Sequence, residues 1–351
     1  MNYNGRSCIM CICCFFYQIF GLSESNMDTW NEGNETKKQK YAMVDKILSR
    51  YTRPFTMLDV CPGNGYYALQ VADRFRDSVC VMIDASYAGN SLLEDNLYRR
   101  CMVSALPNII LLGEDKNYSH LKRLGECEHF DLIIAFTLFE YVDQYWKSIA
   151  ENVCQLGDNL LVEVPKKNNE IMTYFKDRHA QVEAEFKKSI VYFFATEKTR
   201  LKRKHWMKPL TESSNADFSI KSTYHEKKLL KKYANEQIEW IPGINLLTFK
   251  MYSGIFPTIV VIKTEIEKQK KTLHTDWNVH NMILAGNAIK MIDFADQRYP
   301  DRINFYDQER ENRYQLIMRW LDLNKIEDVQ IFYIHKLYGG DRHDLTLQIN
   351  S

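Results

Sequence analysis

The sequence predicts an α/β protein on a doubly wound, mostly parallel, Rossmann-like sheet, with a small α+β extension towards its C-terminal end. Three observations predict this. Between Lys40 and Pro165, short runs of Val, Ile, Leu and Met alternate with segments of helical period, as expected for strands buried on both faces and joined by crossover helices. The first of these runs passes through a turn with two glycines, "DVCPGNG", into a helical segment; such sheets bind ligands outside the carboxyl ends of their strands. Three runs carry an acid at that end: Asp59, Asp84 and Asp115.

Taken in order, "YAMVDKILSRY" reads as a helix and "FTMLDV" as a buried strand. "YALQVADRF" returns to helical period, and "SVCVMIDA" is the second strand. "NIILLGED" and "FDLIIAFTLF" are the third and fourth, "YWKSIAENVCQL" is an amphipathic helix, and "NLLVEV" is the fifth strand. After Pro165 a helix-like segment extends to about Phe186. "SIVYFFAT" and "DFSIKSTY" are candidates for a sixth and a seventh strand, both antiparallel, and the core then closes near Lys232.

Composition bounds the function classes. A chain of 351 residues with 45% hydrophobic and 26% charged residues holds a substantial core, and matches neither a disordered nor a multi-spanning chain. Net charge is +1, yet residues 187–232 hold 13 Lys or Arg against 4 Asp or Glu. That local excess is either a solvated helical face or a surface for an acidic acceptor. Its aromatic interleaving is slight, which disfavours nucleic acid. All 9 cysteines lie at or before Cys154. Cys8, Cys11, Cys13 and Cys14 lack the second ligand pair of a zinc site, and the others sit singly in apolar runs, as buried thiols in a reducing, cytoplasmic setting do. The apolar run from Cys8 to Phe20 is too short to span a bilayer. Residues 1–39 therefore read as an extension and linker, and removal of residues 1–26 is expected to leave the fold intact.

The turn and the acids form one constellation. Gly63 and Gly65 allow a ligand to lie against backbone. Asp59 presents a carboxylate to the same crevice. Asp84 follows Gly65 by 19 residues, the spacing at which an acid after the second strand accepts from ribose hydroxyls. Asp115 closes the third strand, where an acid accepts from an adenine amino group. A dinucleotide fingerprint instead wants GxGxxG with room for a pyrophosphate, and here Tyr66 and Tyr67 follow Gly65.

On these residues the chain resembles the class I S-adenosylmethionine-dependent methyltransferases over about residues 40–232, most specifically 40–165. Their first motif, DxGxGxG, stands here as "DVCPGNG", with Cys61 in place of the first glycine; that exchange is tolerable where position 61 needs no positive φ. The resemblance implies that Asp59, Cys61 and the Gly63–Gly65 backbone hold the methionine part of S-adenosyl-L-methionine, Asp84 the ribose and Asp115 the adenine. The acceptor would enter over residues 136–142, where Glu140 is a candidate catalytic base beside Tyr141, with His225 and Asp276 as further candidates.

Residues 233–351 carry a second signal. "LHTDWNVHNMILAGNAIKMIDFADQ" resembles the catalytic hairpin of kinase-like phosphotransferases, HxDxxxxN followed by a hairpin and an aspartate. The resemblance implies acceptor-facing roles for His274 and Asp276, and magnesium held by Asn281 and Asp293 with ATP as donor. A plain hairpin with a polar turn is the competing reading. Lys263 in "TIVVIKTEIE" is like the lysine strand of kinases, but it precedes His274 by only 11 residues, with no space for a nucleotide lobe. The expectation is therefore a hairpin beside the methyltransferase crevice, its Asp276 and His274 facing the acceptor. Bacterial enzymes that join methyltransferase and kinase domains to cap surface polysaccharides are a fold-level analogy, and favour a glycan acceptor. Beyond it, "RENRYQLIMRWL" reads as a helix and "VQIFYIHKLYG" as a strand; Arg310 and Arg313 share a face of that helix.

Overall fold

A computed structural model describes residues 35–85, 96–115, 117–142, 144–195, 206–207, 239–252, 254–270, 277–291 and 303–337. The cysteine-rich start, "DFSIKSTY", His225, His274, Asp276 and Asp293 lie outside the described residues. The chain divides into two compact units, Met1–Val44 and Asp45–Ser351. In the first, the described residues are helical, belonging to the helix Glu35–Leu48 that begins within the expected linker.

The second unit is built on a seven-stranded sheet of order β3-β2-β1-β4-β5-β7-β6. Its strands are β1 (Thr56–Val60), β2 (Val79–Asp84), β3 (Ile109–Gly113), β4 (Phe130–Ala135), β5 (Gly157–Pro165), β6 (Gln181–Glu185) and β7 (Ser189–Ala195). The first five are parallel neighbours in the order 3-2-1-4-5. All residues of β1, β2 and β4 are buried, which explains their largely apolar character. The chain order reverses at β1, between β2 and β4, so the turn after β1 opens at the switch point of the sheet.

Two strand expectations are corrected. β7 pairs antiparallel with both β5 and β6, so β7 alone runs against the rest and β6 is parallel to β5. β6 is "QVEAE", inside the segment read as helix to Phe186; the helix there ends at Asp177. As an edge strand β6 is exposed or half-exposed along its length and carries no apolar run.

The amino ends of the parallel strands are clamped by polar contacts. Asp131, at the start of β4, accepts from the Thr56 amide (2.8 Å) and from Arg53 (2.5 Å), while its carbonyl accepts from the Tyr51 hydroxyl (2.7 Å). Replacing Asp131 with Ala leaves the buried Thr56 amide and the guanidinium without that acceptor, and is expected to lower unfolding free energy by about 2–3 kcal/mol. A denaturant melt checks this; an unchanged midpoint would contradict it.

The C-terminal residues pack against these same amino ends. A three-stranded sheet of order β10-β11-β12 contains β10 (Ile244–Asn245), β11 (Met282–Ala285) and β12 (Ala288–Met291). β11 and β12 form the expected hairpin, closed by Gly286 and Asn287. The Asn287 amide donates to the Pro107 carbonyl (2.7 Å), just before β3, and the Gly243 amide donates to Thr56 Oγ1 (2.9 Å), at the start of β1. Glu128, buried just before β4, accepts from the Asn245 amide (3.1 Å) and the Thr248 hydroxyl (2.5 Å). Ile255 and Phe256 bond to both sides of Leu111 and so cover part of the β3 edge.

Two further segments differ from expectation. "TIVVIKTEIE" is not a strand: Ile259–Gln269 is a helix, with Ile262 and Ile266 buried four residues apart and Lys263 paired to Asp322. The run read as a strand from Val329 is the helix Ile326–Phe332 continued by a turn to Leu337, with Val329, Tyr333 and Leu337 buried at helical spacing. The long helix Ile303–Asp322 is as expected. Its Arg313 donates to the Leu337 carbonyl (2.6 Å), so this guanidinium joins two C-terminal elements.

Candidate functional site

The crevice is built at the carboxyl ends of β1, β2 and β3. Asp59 lies on β1, opposite Met82 and Ile134 of the neighbouring strands, and is 2% exposed. Its carboxylate accepts from the amide of Ala68, in the first turn of the helix Tyr66–Arg74, while Oδ2 is buried without a hydrogen-bond partner. Burial first, and then the charge of Asp84, push the Asp59 carboxyl well above the ordinary range. Ionising it therefore works against folding as pH rises past its ordinary value, unless a positive group arrives in the crevice.

The turn that follows is held open from below. Cys61 has φ 59, Gly63 φ 59 and Gly65 φ 74. Position 61 thus does require positive φ, contrary to the expectation that allowed a cysteine there; the strand is forced to turn at once, and the thiol residue carries the strain. The Cys61 amide donates to the Ile83 carbonyl (2.9 Å), and its carbonyl accepts from the Thr137 hydroxyl, so β2 and the loop after β4 hold the strained turn. A Cβ on Gly63 would meet nothing within 4 Å, whereas one on Gly65 would lie 2.6 Å from Leu97 Cδ1. Among the described residues Gly63 therefore faces open space, and Gly65 is needed for packing. Asn64 Oδ1 accepts from the Tyr66 amide (3.2 Å), and the Asn64 carbonyl accepts from Arg100 (3.0 Å). Arg100 brings a half-buried positive charge to the turn and had no signal in the sequence.

Asp84 ends β2 opposite Gly113, and its carbonyl accepts from the Glu114 amide (3.0 Å). The two acids after β3 divide their work. Asp115 Oδ1 accepts from the Asn117 amide (2.8 Å) and the Ser119 amide (3.1 Å), and Oδ2 accepts from the Ser119 hydroxyl. Burial raises its carboxyl, but the Ser119 and Asn117 donors outweigh this and hold it below the ordinary range. The Asp115 carboxylate is thus engaged in shaping the loop. Glu114 has a fully buried side chain; Oε1 accepts from the Asp115 amide (2.8 Å) and lies 2.7 Å from His120 Nδ1, and Oε2 has no hydrogen-bond partner. Burial raises its carboxyl in spite of the amide and His120. The sequence pointed to Asp115 alone; an adjacent acid is told apart only by the turn. Glu114, Asp115 and His120 are also close enough to share a cation, but the loop's own donors already occupy most of these oxygens.

On the acceptor side, the loop after β4 leads into the short helix Leu138–Tyr141, with Glu140 exposed at its end and its amide donating to the Thr137 carbonyl (3.1 Å). Tyr141 and Tyr145 are exposed beside it. Tyr67 is buried between Tyr66 and Phe136, with ring centroids 5.3 and 4.8 Å away, so aromatic rings cover the start of the helix after the glycine turn.

Of the kinase-like residues, Asn281 alone is among the described residues. Asn281 is fully buried in a 3-10 turn, Val279–Asn281, immediately before β11. The hairpin was expected beside the crevice, but its described anchors, Pro107 at the turn and Glu128 at Asn245, lie at the amino ends of the sheet. These are separated from the turn at Cys61–Gly65 by the length of a five-residue strand, roughly 16 Å.

No protein-family model matches the sequence, and no curated protein is similar to it. Among solved structures, the methyltransferase domain of a bacterial Hen1 is 15% identical, covering 46% of this chain and 99% of its own, with a TM-score of 0.36. Magnesium protoporphyrin IX methyltransferase of Synechocystis PCC 6803, crystallised with bound SAM, is 13% identical over 54% of this chain and 98% of its own, with a TM-score of 0.34. WbdD in complex with a kinase inhibitor is 13% identical over 95% of this chain and 96% of its own, with a TM-score of 0.39. At these scores the fold rests on the strand order itself. The chain has a Rossmann-like α/β fold. Among the described residues no helix is long and apolar enough to cross a membrane.

Proposed function

We propose that this chain is an S-adenosyl-L-methionine-dependent methyltransferase with its cofactor across the carboxyl ends of β1, β2 and β3. One observation carries the reading: among the described residues, buried Asp59 has one oxygen without a partner, beneath a turn whose Gly63 meets no neighbour and beside a second buried acid, Asp84. Two carboxylates at a glycine turn favour a ligand that is cationic near the turn, as a sulfonium bearing an ammonium is, and disfavour a pyrophosphate. The rings of Tyr66 and Tyr67 at the start of the following helix count against a dinucleotide in the same way.

In this reading Asp59 and the Gly63–Gly65 backbone hold the methionine part, with Arg100 near enough to complement its carboxylate. Asp84 accepts from the ribose hydroxyls. The adenine amino group falls to the acids after β3, and Glu114, with a buried oxygen to offer, suits it better than Asp115. The bound cofactor supplies an activated methyl group. The protein's part is to align an acceptor nucleophile over residues 136–142, exclude water and accept the acceptor's proton where one must leave. Glu140 is exposed at that place and is the candidate base. The basic excess of residues 187–232 favours an acidic or glycan-like acceptor. The test is release of S-adenosylhomocysteine from S-adenosylmethionine in the presence of charged glycans, acidic small molecules, peptides or RNA. Product formed with any of these, and reduced by Glu140→Gln without loss of cofactor affinity, supports the reading. Cofactor binding with no product across all four classes would leave a binding protein in its place.

A further inference from the structure

The loop after β3 does something the cofactor reading does not require: it lays a tyrosine into the crevice. Tyr118 has φ 51, a left-handed conformation that bulky residues avoid, and is 3% exposed. Its backbone belongs to the loop after β3, yet its hydroxyl lies beside the Cys61 thiol just past the end of β1, and its oxygen accepts from the Ala85 amide just past the end of β2. Tyr118 and Cys61, two of the four non-glycine residues with positive φ among the described residues, therefore lie side by side at the crevice. The hydroxyl also lies near enough to Asp84 for that charge to raise it, after burial and Cys61. Asp115 holds the arrangement, because its carboxylate bonds the amides of Asn117 and Ser119, the residues on either side of Tyr118.

We propose that Tyr118 is a gate over the nucleoside end of the crevice, closed against Cys61 and Ala85 and displaced when the ribose engages Asp84. The inference rests on the methyltransferase reading for the identity of the ligand. The gate requires that ring and ribose compete for one place beside Asp84 and Ala85, the two residues the Tyr118 hydroxyl faces. Strain at Cys61 and Tyr118 lowers the resistance to opening, and Asp115, in place of an adenine contact, becomes the clasp that positions the ring. Apparent affinity then equals intrinsic affinity reduced by the fraction of molecules with the gate open.

The experiment measures S-adenosylhomocysteine binding to the full chain by calorimetry and stopped flow, in the wild type and in Tyr118→Ala, Tyr118→Phe and Asp115→Ala. A gate predicts that the wild-type association rate reaches a plateau with ligand concentration, and that Tyr118→Ala removes the plateau and binds about 10-fold tighter. Asp115→Ala moves in the same direction, whereas an adenine contact would make it weaker. If Tyr118→Ala does not fold, Tyr118→Phe keeps the ring and loses the contacts of the hydroxyl with Cys61 and Ala85, and the plateau is expected to rise or vanish. Weaker or unchanged binding in the folded Tyr118 variants would overturn the gate and make Tyr118 a wall of the pocket, with the cofactor reading intact. Binding by Tyr118→Ala alone would support the gate in its strongest form. No binding by any form would overturn the cofactor reading and the gate together.

Discussion

Replacing Asp84 with Ala is expected to weaken S-adenosylhomocysteine binding by at least about 100-fold. The side chain is assigned both ribose hydroxyls, and a hydrogen bond to a charged acceptor is worth roughly 1.5–3 kcal/mol, with every 1.4 kcal/mol a factor of ten in affinity. A thermal melt of the same variant separates loss of the ribose contact from loss of the fold. The bond from Glu114 is to the Asp84 carbonyl and survives the substitution, and one of two mutually repelling acids is removed. A calorimetric titration beside a thermal melt reads both. Retained affinity would make Asp84 a residue of the fold, and lost folding would make the affinity loss uninformative about ribose.

Gly286→Ala is the largest expected effect on stability. Gly286 has φ 69, and an added Cβ would lie 2.0 Å from the Pro107 carbonyl oxygen and 2.5 Å from Asn108 Cα. Both obstacles are backbone just before β3, and Asn108 is itself held through its side-chain Nδ2, which donates to the Ala72, Phe75 and Ser78 carbonyls. The hairpin must therefore move away. Overpacking together with a left-handed alanine costs about 3 kcal/mol. Hydrogen exchange should show lost protection in residues 282–291, with little change at β1 and β2. A variant as stable as the wild type would mean that the hairpin does not rest on this edge.

These two sites also mark how far the sequence could be read. β1 to β5 were legible because strands buried on both faces leave an apolar run, and the acids Asp59 and Asp84 interrupt those runs where they end. β6 was not legible: "QVEAE" lies at an exposed edge, where nothing enforces a hydrophobic pattern, and it follows a genuine helix without a break in composition. The β-branched residues of "IVVIKTEIEKQ" suggested a strand, but tertiary packing chose the helix that buries Ile262 and Ile266 on one side. Within the site, residue types were readable and backbone conformation was not. Cys61 was allowed only on the assumption of ordinary φ, and its left-handed turn is visible only once the carbonyl of Ile83 and the hydroxyl of Thr137 are in place. Asp115 and Glu114 are adjacent acids, and the loop's hydrogen bonds alone separate the one that shapes the turn from the one with an oxygen to offer. Of the kinase-like spacing, only Asn281 falls among the described residues, and it is buried just before the hairpin.

The most direct measurement is a calorimetric titration of the full chain, in one preparation, with S-adenosylhomocysteine, with NAD and with ATP plus magnesium. Saturable binding of S-adenosylhomocysteine at one site and no heat of binding from NAD are expected. Saturation by NAD, or no binding of S-adenosylhomocysteine by the wild type or by Tyr118→Ala, would contradict the cofactor reading.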